Sequence, residues 1–252
     1  MARAVPAVGR AFDVLELFLA EPELSAPEIT ARLDLPRTTA HELLGTLCER
    51  GYLVAVGHRY RLGVRNFQLG SAYAERLDLA REGRAVAADV AARCHETVHV
   101  AVLDGTEVVY VAKVDSSHPV RMVSAVGRRL PAHCTAVGKV LLAALPKKEL
   151  DRRYTGRRLT AMTPGSITSR AALHRELEAI RAAGGVAREH CESNEAVACV
   201  AAPVRDGSGE VVAALSASVP ILRWDAETER ALAETIRAGA ADLSERLGCT
   251  TR

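Results

Sequence analysis

Between residues 36 and 62 the chain concentrates side chains suited to reading a polyanion. Arg37, Thr38, Thr39, His41 and Glu42 fall within one short run, and Arg59 and Arg61 stand on either side of Tyr60. An arginine fork donates two hydrogen bonds to a guanine edge, and threonine hydroxyls bond phosphate oxygens. A carboxylate accepts only from an amino group such as that of cytosine. Over residues 1–65 eight arginines meet eight acids and cancel. Over 36–65 five arginines (37, 50, 59, 61, 65) meet only Glu42 and Glu49, a net of +3. A bare charge cluster is more often a solvated face than a binding site, so the reading depends on the elements that carry it. For Glu42 two readings stay open, a carboxylate that specifies cytosine and a merely exposed helical acid.

A second group lies beyond residue 130. Thr135 is placed to cap a helix opening Ala136-Val137-Gly138-Lys139, whose small first residues leave backbone N–H groups within reach of an anion. Capping alone also explains that pattern, since every helix has such an end. Val197, Cys199 and Ala201 alternate onto one face of a strand. Ser216 and Ser218 share a face of another, an apolar strand with a polar pair that needs partners. No catalytic residue is assigned. His133-Cys134 beside a helix N-terminus would suit an activated thiolate, but neighbours on an extended chain point apart and no third group accompanies them. The stretch GRRLPAHCTAVGK lacks the glycine spacing, and the hydroxyl after Lys139, of a phosphate loop. His99, His133, His190, Cys191 and Cys199 show no metal-ligand spacing, so neither a metal nor a cofactor is expected.

Positioning these groups takes two folded parts, an α+β chain of two domains. Val8, Phe12, Leu15 and Leu19 fall at helical spacing over residues 8–20. Ser25 with Glu28 forms a capping box for a second helix, to about Leu33. Pro36 opens a third, Arg37 to Arg50, with Leu43, Leu44 and Leu47 inward and Gly51 as its stop. Residues 52–55 and 58–62 read as strands around Gly57, with Tyr60 inward and both arginines outward. Three helices and a hairpin make a winged helix-turn-helix over 1–65, followed by a linker helix over 66–79. Residues 80–252 read as a sheet with an antiparallel core, flanked by helices. Its strands are expected at 97–103, 108–114, 120–126, 197–204 and 210–219, and its helices at 79–95, 136–145, 171–183 and 226–247. Six unpaired-looking cysteines, no convincing signal peptide and no long apolar run point to a cytoplasmic protein with reduced thiols and no membrane partner.

The order of these pieces resembles the IclR family over nearly the whole chain. The resemblance rests on LSAPEITARLDLPRTTAHELLGTLCERGYL and RYRLG, then ETVHVAVLDG, GRRLPAHCTAVGKVLLA, CVAAPVRD and VVAALSAS. It implies a transcriptional repressor or activator that grips operator DNA, with a GAF-like sensor for small, often acidic or aromatic, metabolites. It also implies dimers through the DNA-binding half and tetramers through the sensors. Dimerisation is expected independently, because the first helix and the linker helix carry more apolar surface than a domain of ~65 residues buries alone. The resemblance places the effector at Ala136, Val137, Val197, Cys199, Ser216 and Ser218. It puts Glu189 and Glu192 at pocket or lid positions, where they would accept ligand hydroxyl protons or line the rim. The family has Arg at the position of Glu42 and Gly at that of Ala196, which leaves the reading of the first and the loop path at the second open. Two rival functions remain: an enzyme with an accessory DNA domain, and a constitutive DNA-binding protein whose second half only oligomerises.

Overall fold

A computed structural model describes residues 5–75, 78–119 and 125–249. The chain divides into two compact units, Met1–Arg76 and Leu77–Arg252.

The first unit runs α1 (Pro6–Leu17), β1 (Leu24–Ser25), α2 (Ala26–Leu33), α3 (Arg37–Glu49), β2 (Leu53–Val56), β3 (Arg59–Leu62) and α4 (Val64–Glu75). Glu28 closes the start of α2, its carboxylate accepting from both the backbone N–H and the hydroxyl of Ser25 at 2.6 Å. Asp34 takes a left-handed conformation (φ 47°) and turns the chain into Pro36, the N-cap of α3. β3 pairs with β2 and also with β1, a two-residue strand that propensity does not reveal, so the wing has three strands. The core is Val14, Phe18, Leu24, Ile29, Ala40, Leu44, Leu47 and Leu53. Two expectations change. α1 ends at Leu17, and it buries Val14, leaving Val8, Phe12 and Leu19 exposed. On α3 Ala40 is buried and Leu43 only partly so.

The second unit begins with α5 (Asp78–Cys94) and the hairpin β4 (Thr97–Asp104) and β5 (Glu107–Val114). Then come β6 (Arg129–Pro131), α6 (Ala136–Ala144), α7 (Lys147–Tyr154), α8 (Arg170–Ala182), β7 (Ala187–His190), β8 (Val197–Arg205), β9 (Val211–Pro220) and α9 (Ala226–Arg246). The sheet order is β6-β5-β4-β9-β8-β7, every neighbouring pair antiparallel. The strand expected over 120–126 falls mostly outside the described residues, and Ala125 and Val126 are not strand. β6, α7 and β7 were not expected.

The sheet is covered on both faces. On one, Val86 and Val90 of α5 with Leu232, Ile236 and Leu243 of α9 pack against Val98, Val200, Leu215 and Val219. Helix α9 comes close here: a Cβ on Gly239 would lie 2.5 Å from Val90 and 2.9 Å from Leu215. On the other face Val137, Val140 and Leu141 of α6, with Leu173 and Leu177 of α8, pack against Ala101, Tyr110, Cys199, Ala201 and Ala214. Arg181 of α8 ties the end of α6 by donating to the Ala143 carbonyl at 2.7 Å. Among the described residues no helix is long and apolar enough to cross a membrane.

Candidate nucleic-acid interface and effector site

At about 100° per residue, burial of Ala40, Leu44 and Leu47 fixes which side of α3 looks outward. Arg37, Thr38, His41 and Glu42 are exposed and Thr39 is half-buried. Arg37, Glu42 and Arg61 form no side-chain ion pair among the described residues, whereas Arg59 donates to Glu28 at 3.2 Å and to the Glu23 carbonyl at 3.2 Å. Arg59 and Arg61 alternate outward around Tyr60, which packs on the core. The wing therefore presents one arginine partly neutralised by its own domain and one, Arg61, with no ion pair among the described residues.

In the second unit, strand register assembles a buried polar row. Glu189 of β7 lies opposite Cys199 of β8, which lies opposite Ser218 of β9, which lies opposite Thr97 of β4. The adjacent row runs Ala187, Ala201, Ser216, His99. Directly opposed residues point to the same face, so Glu189, Cys199, Ser216, Ser218, Thr97 and His99 share it, all of them buried. The face is the one under α6. Cys199 donates its thiol hydrogen to Ser218 Oγ at 3.3 Å, and Thr97 Oγ1 accepts from the Ser116 N–H at 3.2 Å. His99 packs against the Tyr110 ring at 4.8 Å, and burial, then the Lys113 charge, lower its pKa to about 4. Thr97 and His99 complete this polar face, and the sequence reading does not single them out. The signal was present, in two polar residues at alternate positions of TVHVAVLD.

Models of two domains match this chain. The bacterial transcriptional regulator IclR C-terminal domain matches residues 71–245, and the IclR helix-turn-helix domain matches residues 7–57. The chain belongs to the IclR family. It is thus a DNA-binding transcriptional regulator with a C-terminal effector-binding domain. It is 34% identical to the HTH-type transcriptional regulator XynR of Escherichia coli K12, over 97% of this chain and 98% of that protein. The Thermotoga maritima IclR structure superposes with a TM-score of 0.78 at 30% identity, covering 96% of this chain and 99% of that one. An IclR homologue from Microbacterium hydrocarbonoxydans, solved with 4-hydroxybenzoate, gives a TM-score of 0.84 at 27% identity over 96% and 98%.

Within this IclR effector domain the N-terminus of α6 is specified tightly. Thr135 caps it, its hydroxyl accepting the Gly138 N–H at 3.1 Å. A Cβ at position 138 would lie 2.1 Å from the Ala132 carbonyl oxygen, so only glycine lets the chain pass. The Gly138 donor is therefore spent on the cap, and the N–H groups of Ala136 and Val137 are the ones left at the helix start. Glu189 is 1% exposed, in the interior rather than at a rim, and its Oε1 accepts the N–H groups of Glu192 and Ser193. Glu192 is half-buried and, with Glu176 of α8, clasps Lys139 at 2.7 and 2.8 Å. Its loop is pinned by Thr163 and Ser166, whose hydroxyls donate to the Cys191 and Glu192 carbonyls at 2.6 Å. At Ala196 the path is set by two bonds, N–H to Asn194 Oδ1 at 2.9 Å and carbonyl from the Ile221 N–H at 2.8 Å. The Cys134 thiol, pushed up to about 12 by burial and then by Glu189, stays protonated, and His133 turns to the Thr160 carbonyl instead. That pair is not a nucleophile and base.

Proposed function

We propose that the chain is a cytoplasmic repressor or activator whose grip on operator DNA is set by a small organic acid. In this reading residues 1–65 form the DNA-binding domain, 66–79 the linker helix and 80–252 the effector domain. The observation that carries the effector half is the buried row Glu189, Cys199, Ser218 and Thr97, with Ser216 beside it. Polar groups in an interior are kept where they meet a partner. The N–H groups of Ala136 and Val137 supply donors and the positive helix end for a carboxylate. Val137 and Val197 are apolar walls, and the serines and Cys199 reach the ligand's other polar atoms. The 4-hydroxybenzoate of the Microbacterium homologue has that chemistry, an acid with a second polar group. Calorimetry with a panel of acids and their uncharged amides is the test. Acids are expected to bind and amides to bind at least tenfold more weakly, about 1.4 kcal/mol. Ser216→Val is expected to weaken every ligand that binds. Equal binding of amides removes the anion, and an unaffected Ser216→Val removes the location.

In the DNA half, Arg37, Thr38, Thr39, His41 and Glu42 meet the major groove and Arg59 and Arg61 the backbone or minor groove. Arg37→Ala is expected to lose about 1–3 kcal/mol of operator affinity and relax base preference. Arg61→Ala is expected to weaken all sequences alike and to reduce the salt slope by about one. Arg59→Ala is expected to do the same to a smaller degree, since Glu28 already meets part of that charge. Gel-shift titrations across salt measure all three, and unchanged binding by all three removes the assignment.

A further inference from the structure

Glu189 poses a problem for an acid-binding site, because an ionised carboxylate in the wall repels the ligand's own. Its hydrogen bonds suggest the resolution. Oε1 accepts two backbone N–H groups, from Glu192 and Ser193, while Oε2 is buried and has no hydrogen-bond partner among the described residues. An ionised carboxylate is an acceptor on both oxygens, and here one of them is left without a donor in the interior. A neutral carboxyl fits the same place: Oε1 as the carbonyl oxygen takes the two N–H groups, and Oε2 carries a hydrogen to give.

The groups around Glu189 leave that hydrogen to a ligand. From β8 the Cys199 thiol, which also faces the Glu189 carboxyl, gives its one hydrogen to Ser218 Oγ at 3.3 Å, and from β5 and the turn before α6 come Tyr110 and Cys134, both uncharged. From its own loop come Cys191 and Glu192. The nearby cation, Lys139, is already held between Glu176 and Glu192. Burial, first among the causes, pushes the Glu189 carboxyl above the usual carboxylate range.

We propose that effector binding is coupled to protonation of Glu189, whose Oε2–H donates to the carboxylate of the bound acid. The proposal rests on the effector site described above. The balance is one proton: Glu189 carboxylate, a proton from solvent and the acid's carboxylate become a neutral carboxyl hydrogen-bonded to a carboxylate. The pair then carries one negative charge instead of two. While free Glu189 is protonated the affinity does not vary with pH. Once pH rises past its pKa, binding must take up a proton, and affinity falls toward about tenfold per pH unit. A rise in pH through that range then releases the effector without any change in its concentration.

The test is calorimetry on the full chain with 4-hydroxybenzoate, benzoate and glycolate as probes. It runs from about pH 5 to about pH 9, in pairs of buffers of different ionisation enthalpy. The expected result is proton uptake that rises toward one per ligand at the alkaline end, with affinity falling in step. Glu189→Gln keeps an oxygen for the two N–H groups and puts an N–H where the carboxyl hydrogen was. It is expected to bind the same acid with neither uptake nor pH dependence. Two outcomes overturn the proposal alone: wild-type binding without uptake or pH dependence, or Glu189→Gln that retains both. If no probe binds, or if neither Ser216→Val nor Glu189→Ala alters the affinity of one that does, the site itself is misplaced and the proton falls with it.

Discussion

Lys139→Met is expected to destabilise the effector domain by about 3–5 kcal/mol, the scale seen when one member of a buried ion pair is removed. Lys139 is 1% exposed and its ammonium lies 2.7 Å from Glu192 and 2.8 Å from Glu176. The methionine fills the space of the stem, so packing changes little, and the effect comes from two carboxylates left facing each other. Burial raises the pKa of Glu192 and the Lys139 charge opposes that rise. Without the lysine the folded-state pKa climbs further. A carboxyl whose folded pKa exceeds its unfolded one binds more protons when folded, so stability falls as pH rises through that range. The deficit of Lys139→Met is therefore expected to be larger in mildly alkaline than in mildly acidic buffer. At roughly 2–4 °C per kcal/mol for a domain of this size, thermal melts resolve it easily. Adding Glu192→Gln to Lys139→Met removes one uncompensated charge and is expected to restore part of the loss. A single variant that melts like wild type at both pH values would show that the triad contributes nothing.

The triad also marks where sequence reading stops. Its partners lie 37 and 53 residues from Lys139, and no local pattern links an acid of α8 and an acid of a loop to a lysine of α6. What was legible had local punctuation. Ser25 with Glu28, Pro36, Gly51 and Gly57 bound α2, α3 and the wing, and alternation alone put Cys199 and Val197 on one face and Ser216 and Ser218 on one face. What was not legible lacked such signals. α7 is KKELDRRY, in which only Leu150 and Tyr154 are buried, too few apolar residues for a stripe. β7 is four residues long and buries a glutamate where alternation asks for an apolar side chain, so Glu189 read as loop rather than strand. β6 spans three residues. The polar row across four strands needed register, which no single strand contains.

Phe12→Glu is expected to abolish operator binding without unfolding the chain. Phe12 is 60% exposed, with Val8 at 51% and Leu69 at 54%. Together with Ala11, Leu15, Leu43 and Leu47 they line a largely apolar groove of about 900 Å³ between α1, α3 and α4, to which Thr39 and Glu42 of the DNA-reading run also contribute, so those two side chains are shared between the two surfaces. Large apolar side chains clustered in the open mark a surface that another one covers. We propose a second copy of this chain as its occupant. A two-fold pair buries the same groove on both protomers and presents two α3 helices to two related half-sites. Because Phe12 contributes little to the monomer core, a carboxylate there leaves the fold intact and the circular dichroism unchanged. In the dimer the same carboxylate is driven into an apolar interface without a partner, a cost of several kcal/mol on each side. Dimerisation is expected to weaken by at least about 100-fold, or about 2.7 kcal/mol. Operator affinity falls with it, since a monomer loses the effective concentration that links its half-sites. Light scattering and gel shifts on the same samples test both steps. A wild-type monomer at micromolar concentration that still binds operator would refute the pairing. So would a Phe12→Glu protein that remains a dimer with its operator affinity unchanged.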